Sequence, residues 1–309
     1  MQTEKVVIIG SGPAGLAAAL YTGRAGLKPV VLSGLELGGQ ISLTYDVDNY
    51  IGFPEGTSGP DLIELMTQHV NKFDANIVFD EVTEVNFRTG PPFTVKTSGN
   101  EYAAEAVVVA TGASPRRLKV PGEERLIGHG ISFCATCDGF FFKDKDVLVI
   151  GGGDSALEES IFLTRFAKRI RVIHRRDELR AGEQLKKAAF AHEKIEFIWD
   201  SVVEEILGEE KVRGARIKNV KTGEASSLEA EGVFIFIGHY PNSKLFTDQL
   251  EMTEEGYLIT DEKMMTSVQG VFAAGEIQDR LYRQIATSVG QGSGAGIMAE
   301  RWLRERGAV

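Results

Sequence analysis

The sequence predicts an α/β protein made of two doubly wound, three-layer units, the second inserted into the first. Three observations carry this expectation: an apolar run entering a glycine turn, a second copy of that pattern, and another apolar run near the end of the chain. Val6 to Ile9 is continuously apolar and β-branched, as in a strand buried on both faces of a parallel sheet. It enters Gly10-Ser11-Gly12-Pro13-Ala14-Gly15, and Leu16 to Leu20 continues as a helix former. Strand, Gly-x-Gly-x-x-Gly and helix in that order are the context a dinucleotide fingerprint requires. Its glycines let the backbone turn tightly and approach a pyrophosphate, whose charge rests on the helix N-terminus.

The next strand, Pro29 to Leu32, ends at Ser33-Gly34-Leu35-Glu36, with Glu36 a few residues later than the acid that usually meets the ribose. Gly38-Gly39-Gln40 and a polar loop over Asp46 to Tyr50 follow. Leu62, Leu65, Met66, Val70 and Phe73 have a helical period. From Ile77 to Ala104, short alternating runs broken by Gly90-Pro91-Pro92 and Ser98-Gly99-Asn100 predict an antiparallel meander. Ala106 to Ala110 is a further buried strand, ended by Thr111-Gly112-Ala113-Ser114-Pro115.

The first half then recurs. Asp146 to Ile150 leads into Gly151-Gly152-Gly153-Asp154-Ser155-Ala156, so that Gly10, Gly12, Gly15 and Ser33 map at one constant spacing onto Gly151, Gly153, Ala156 and His174. Val233 to Ile237, ending in Gly238-His239-Tyr240-Pro241, echoes Gly112 to Pro115. Two such units imply two nucleotide cofactors in one chain. Where an acid would meet the 2′-hydroxyl of NAD, the second unit has His174-Arg175-Arg176, with Arg180 a turn later. Guanidinium groups suit a 2′-phosphate, which points to NADPH; the first unit has no such cations and suits FAD. Hydride would then pass from nicotinamide to flavin.

Near the end, Gly270 to Gly275 is a strand leading to Glu276, followed by Arg283-Gln284 and a helical stretch, Ile285 to Arg306. Gly290, Gly292, Gly294 and Gly296 are expected either to let a flat ring system approach the backbone or to serve tight helix packing. This segment is expected to fold back on the first unit. The expected domains are a discontinuous FAD-binding domain, 1–114 with 242–309, and an NADPH-binding domain, 115–241, that carries the cysteines.

Those cysteines, Cys134 and Cys137, are the only two in the chain and form one Cys-x-x-Cys with Asp138 directly after. The spacing fits a redox pair, a pair of buried structural thiols, or half a zinc site. Zinc needs about four ligands, and none of the five histidines lies beside the motif, so no metal is expected. In thiol exchange the attacking sulfur is a thiolate and the departing one needs a proton. Asp138 could supply that proton if burial raises its pKa, and Phe140-Phe141-Phe142 is compatible with such burial.

The net charge of −10 argues against nucleic acid as a partner. No apolar run approaches the ~18 residues of a membrane span, and the one at the start is too short for a signal peptide. Two cysteines without an export signal suggest a reducing cytoplasm.

Taken together, Gly10 to Gly15, Gly38-Gly39-Gln40, Cys134 to Gly139, Gly151 to Ala156, His174-Arg175-Arg176 with Arg180, Gly238 to Asn242, Gly270 to Glu276 and Tyr282-Arg283-Gln284 resemble the bacterial-type, low-molecular-weight thioredoxin reductases over essentially the whole chain. The Cys-Ala-Thr-Cys-Asp-Gly core and the His-Arg-Arg cluster are the specific matches; many flavoproteins share the glycine motifs.

The resemblance implies a homodimeric FAD enzyme that reduces thioredoxin, or a thioredoxin-like protein, with NADPH. Cys137 would face the flavin, Cys134 would attack the thioredoxin disulfide, and Asp138 would act as general acid. FAD would be lined by Gly10, Gly12, Pro13, Ala14, Gly15, Ser33, Glu36, Gly39, Gln40, Asn49, Val82, Ala110, Thr111, Gly112, Gly275, Glu276, Arg283, Gln284 and Ile285. NADPH would be held by Gly151, Gly153, Asp154, Ser155, Ala156, His174, Arg175, Arg176, Arg180, Ile237 and Gly238. In such enzymes the NADPH domain rotates, and the natural hinges here are Thr111 to Pro115 and His239 to Asn242. Two departures stand out: Glu276 where the family has Asp, which adds one methylene, and a 290–296 stretch without the family's cysteine-methionine pair. The rival readings are a flavin-dependent dithiol oxidase, a reductase fed by ferredoxin or serving another thioredoxin-like acceptor, and an NADPH-sensing flavoprotein.

Overall fold

A computed structural model describes residues 1–44 and 46–309. The chain divides into two compact units, Met1–Ser114 with Tyr240–Val309, and Pro115–His239. In the first, β1 (Gln2–Ile9), α1 (Pro13–Arg24), β2 (Val30–Leu32), α2 (Gly59–Asn71) and β3 (Asn76–Val78) alternate, and the strands pair in parallel in the order β3-β2-β1. Ser58 starts α2 by accepting the Asp61 amide on its hydroxyl at 3.1 Å.

The meander is β4 (Val82–Asn86), β5 (Phe93–Thr97) and β6 (Glu101–Val109), paired antiparallel. It does not begin at Ile77, as the alternation suggested. Ile77 lies in β3, in parallel register with Val31, because a three-residue run carries no mark of the direction in which it pairs. The last meander strand and the buried strand expected at Ala106 to Ala110 are one element. One edge of β6 pairs antiparallel with β5 over its first half, with Ala104 opposite Phe93, and the other edge runs parallel to β1 along its length, with Val107 opposite Val7.

After β7 (Ala113–Pro115) come α3 (Glu123–Leu126), β8 (Ile131–Ser132), α4 (Ala135–Asp138), β9 (Asp146–Gly151), α5 (Asp154–Leu163), β10 (Arg169–Ile173), α6 (Glu183–Phe190) and β11 (Ile195–Ile198). The antiparallel strands β12 (Ser201–Leu207), β13 (Gly214–Asn219) and β14 (Ala225–Glu229) form a separate sheet, and β15 (Gly232–Phe236) returns to complete the parallel order β11-β10-β9-β15-β8. The chain leaves this unit through β16 (His239–Pro241), which pairs with β7.

Back in the first unit, β17 (Val271–Ala273) lies parallel to β6, with Phe272 opposite Val108, and α7 (Ile285–Glu305) closes the chain. The segment thus folds back on the first unit, as expected of a discontinuous domain. α7 is one continuous helix, and its glycines divide by use. A Cβ at Gly292 would sit 2.0 Å from the Ala14 carbonyl oxygen, and one at Gly296 would sit 2.8 Å from that of Ala18, so these two let α7 lie directly against α1. Gly290 faces open space. Close helix packing, rather than a ring system, therefore accounts for the inner pair.

The apolar runs read as buried on both faces are so. Val6 and Ile8 enter one core cluster, with helices α1 and α7; Val7 and Ile9 enter another, with the meander. Val147 and Val149 pack with α5, while Leu148 and Ile150 face the cluster that holds Val203, Ala215 and Ile217 of β12 and β13. With no face left for water, every position in the runs Val6 to Ile9 and Val147 to Ile150 is apolar, and alternation disappears. Among the described residues no helix is long and apolar enough to cross a membrane.

Candidate active site

At the end of β1 the backbone takes φ +111° at Gly10, where a Cβ would lie 2.2 Å from the Ala110 carbonyl oxygen. A Cβ at Gly15 would lie 2.0 Å from the Gly10 oxygen, so both positions admit only glycine. Gly12 differs. It caps α1 with no side-chain acceptor, and its nearest obstacle to a Cβ is the Gly38 oxygen at 3.8 Å; Gly39 is equally open. Pro13 takes the first helical position, Ala14 is buried beneath it, and no acid stands in the first turn. A bare helix N-terminus beside an open glycine surface is a cradle for a phosphate group.

Around this cradle the expected contacts are unevenly placed. The Ser33 hydroxyl donates to the carbonyl oxygens of Gly34 (3.0 Å) and Val78 (3.3 Å), whereas Glu36 and Gln40 are exposed. Val82 lies in the core of the meander. Ala110 donates its amide to Ile9. Thr111 and Asn242 exchange hydrogen bonds at 3.0 and 2.8 Å, and Gly112 faces open space at φ +66°. Asn49 donates to Gln284 Oε1 at 3.3 Å, bringing together two expected contacts 235 residues apart. Gln284 also forms a capping box at the start of α7 with Thr287, just before half-buried Ile285.

One organiser here escaped sequence reasoning. Asp279 is buried; its carboxylate accepts the amides of Leu281 (2.9 Å) and Tyr282 (3.0 Å) and, at 3.3 Å, the Gln291 side chain, which in turn holds the Gly275 amide at 2.9 Å. Its local sign was an aspartate two residues before a polar turn. It shapes the loop from Glu276 to Arg283, where Arg283 adopts φ +50°.

Burial pushes the half-buried Glu276 carboxyl up to about 7; the Arg283 guanidinium opposes the rise and Asp279 adds to it. A carboxyl raised in the folded state favours folding fully below its ordinary value of 4.5 and loses that contribution as pH rises from there through about 7. Flavin-free protein should therefore lose on the order of 1 to 2 kcal/mol between pH 5 and pH 8 that Glu276→Gln does not lose. Urea unfolding of both proteins at the two pH values checks this, and an unchanged difference would refute it.

The second glycine turn repeats the design of the first. A Cβ at Gly151 (φ +157°) would be 2.5 Å from the Phe236 oxygen and 2.6 Å from the Cβ of buried Ala156, while one at Gly153, the N-cap of α5, would meet nothing. Asp154 Oδ1 accepts the Gly182 amide at 2.8 Å and Ser155 is exposed. Ile237 is half-buried, and Gly238 (φ +102°) accepts the Arg116 amide.

His174 differs from its arginine neighbours. Its ring is buried, with Nδ1 3.0 Å from the Gly151 oxygen and Nε2 3.1 Å from that of Glu178, and desolvation holds its pKa below the usual value. It braces the turn from within. Arg175, Arg176 and Arg180 are exposed and line an open cleft of about 490 Å³, together with Asp177, Asp200 and Lys221.

Cys134 and Cys137 form a disulfide, with Sγ–Sγ 2.07 Å and Cα–Cα 5.3 Å. Cys134 is the N-cap of α4, and its sulfur accepts the Cys137 amide at 3.1 Å and lies 3.3 Å from Thr136 Oγ1. The Ala135 amide donates to Glu159 Oε2 of α5 at 2.7 Å, so the helix that follows the glycine turn also holds the cysteine turn. Amide donors at a helix N-terminus stabilise a thiolate there. Asp138, half-buried, ends α4. The phenylalanine run divides: Phe142 is buried against Phe234 at 5.0 Å between centroids, whereas Phe140 and Phe141 are exposed. Among the described residues no group of three or more acidic, histidine or cysteine side chains could hold a metal.

Two glycine turns that can each receive a nucleotide, on a chain with one cystine, define a nucleotide-dependent disulfide oxidoreductase. Residues 4–292 match the pyridine nucleotide-disulphide oxidoreductase family, and the chain belongs to it. Membership implies a flavin and a nicotinamide nucleotide as cofactors. Over 307 residues the chain is 47% identical to thioredoxin reductase of Rickettsia conorii, covering 98% of this chain and 99% of the relative. Two solved structures are closely similar. Thioredoxin reductase from Streptococcus pyogenes MGAS5005 is 44% identical with a TM-score of 0.94, covering 98% of this chain and 99% of that one. The enzyme from Giardia duodenalis is 38% identical with a TM-score of 0.92, covering 98% and 100%.

Proposed function

We propose that this chain is a thioredoxin-disulfide reductase, using NADPH and FAD to reduce the Cys134–Cys137 disulfide and, through it, thioredoxin. The observation that carries the reading is the cystine at the N-terminus of α4, in a unit that also has an arginine-lined cleft beside its glycine turn. The first unit's open glycines, Gly12 and Gly39, with the unoccluded start of α1, fit the pyrophosphate of FAD, and Asn49, Glu276, Arg283 and Gln284 would complete its site. In the second, Gly153 and the start of α5 fit the NADPH pyrophosphate, and Arg175, Arg176 and Arg180 fit its 2′-phosphate. When bound, the flavin links a two-electron hydride donor to the disulfide.

The cysteines do the rest. From the reduced pair, the Cys134 thiolate attacks one sulfur of the thioredoxin disulfide: a Cys134–thioredoxin bond forms, the thioredoxin disulfide breaks, and the second thioredoxin sulfur leaves with a proton that Asp138 supplies. Cys137 then attacks Cys134, re-forming the cystine and releasing dithiol thioredoxin. Homodimerisation and a cytoplasmic setting belong to the same proposal; Leu35, Ile51 and Leu281, large and exposed on the first unit, suit cover by a second copy.

Anaerobic titration with NADPH tests the reading. About four electrons per subunit should be taken up, two each for flavin and disulfide, and oxidised thioredoxin should restore the flavin absorbance. If NADPH does not bleach the flavin, the cleft has been misassigned. If thioredoxin does not restore it, the acceptor is another protein.

A further inference from the structure

Lys221, a residue with no motif around it, lies in the turn between β13 and β14, and the fold brings it to the end of β10. Asn219 Oδ1 accepts the amides of Lys221 (2.9 Å) and Thr222 (3.0 Å), which fixes the turn. The Val220 amide donates to the Asp200 oxygen at 2.6 Å, and the Asp200 amide donates to the Arg176 oxygen at 3.3 Å. Ser201 donates in turn to the His174 oxygen at 3.0 Å. Turn, corner and strand end are therefore tied together by backbone hydrogen bonds. On this frame Lys221 Nζ lies 2.6 Å from Asp177 Oδ2 and 3.0 Å from Asp200 Oδ2.

The charges facing the cleft give this triad its importance. Arg175, Arg176 and Arg180 stand against three carboxylates, Asp177, Glu178 and Asp200, with Lys221 as the fourth cation. Without the lysine the cleft would be neutral overall, and two carboxylates would face a phosphate that carries −1.5 to −2 at pH 7. With it, the cleft keeps a positive excess and both acids are engaged. The pair is mutually reinforcing: hydrogen bonding to Lys221 holds the Asp177 carboxyl below its ordinary range, and Asp177 raises the lysine.

We infer that Lys221 is a specificity-determining residue for the 2′-phosphorylated nucleotide, acting by binding Asp177 and Asp200 and so keeping their charge off the phosphate. The inference rests on the reading of this cleft as the NADPH site, and the experiment separates the two. Calorimetry on the full chain compares adenosine 2′,5′-bisphosphate with adenosine 5′-monophosphate, which lacks the 2′-phosphate. Lys221→Met should weaken the bisphosphate about fivefold and the monophosphate less than twofold, with the KM for NADPH and NADH following the same split. Lys221→Arg should retain the preference. Adding Asp177→Asn to Lys221→Met should recover about half of the loss, because one of the two unpaired carboxylates is then gone and the cleft regains its positive excess, while Asp200 stays unpaired.

Equal weakening of both ligands would make Lys221 a mere scaffold for the turn and overturn the inference. Failure of Asp177→Asn to rescue would replace charge masking with direct contact, and overturns it as well. If Lys221→Met has no effect while Arg176→Ala weakens the bisphosphate, the inference falls and the phosphate site stands. If Arg176→Ala also has no effect, the reading of the cleft falls, and the inference with it.

Discussion

Serine in place of Cys137 is expected to abolish thioredoxin reduction and to trap a covalent adduct. The exchange needs two sulfurs within one turn, and here their Cα atoms are 5.3 Å apart. With only Cys134 present, attack on a disulfide partner yields a mixed disulfide that nothing in the chain can resolve, and that only the thiol released on the partner can reverse. Turnover should fall by a factor on the order of 10³ or more, with one thioredoxin per subunit attached under non-reducing conditions once the thiol released on thioredoxin is alkylated. Cys134→Ser should be equally inactive and form no adduct. Loss of fold does not explain either outcome, since a cystine closing so short a loop stabilises the chain by about 2 kcal/mol at most. Mass spectrometry of both variants after incubation with oxidised thioredoxin decides the matter. An adduct on Cys134→Ser would reverse the two roles, and substantial turnover by either variant would remove the cystine from the reaction.

Alanine at both Arg175 and Arg176 is expected to raise the KM for NADPH some 30- to 100-fold, while that for NADH moves less than threefold. Each guanidinium can give the 2′-phosphate a charge-assisted bond worth about 1 to 1.5 kcal/mol at an exposed position. Both side chains are exposed in the cleft rather than engaged in the core. His174 should not substitute for them, because its ring is turned inward onto the Gly151 and Glu178 carbonyls. Steady-state kinetics with the two nucleotides check the expectation, and screening predicts that wild-type preference for NADPH falls as salt rises. Equal changes for both nucleotides would remove the phosphate assignment.

The layout of the fold was legible because its signals are local. The run Val6 to Ile9 and its counterpart Val147 to Ile150 mark strands with two buried faces, and each glycine turn lies between a strand and a helix. The constant spacing of the two copies relates them without reference to any contact. Less legible was anything that depends on a distant partner. Ile77 reads as meander but pairs in parallel, since direction is set by the strand alongside. Gly290 and Gly292 look equivalent in sequence, and only the position of α1 makes one open and the other closed. The phenylalanine run likewise gives no sign that Phe142 turns inward while Phe140 and Phe141 face solvent.

By itself, the sequence determined that there are two glycine turns, one cysteine pair and an arginine cluster, because backbone conformation, thiol spacing and charge are properties of a few neighbouring residues. The tertiary structure alone decided which side chains share a site. It joined Asn49 to Gln284, set Glu159 on the Ala135 amide and Lys221 on Asp177, and turned His174 inward. Those placements arise when sheets and helices bury their apolar faces against one another, and the polar groups carried along take the partners they then meet.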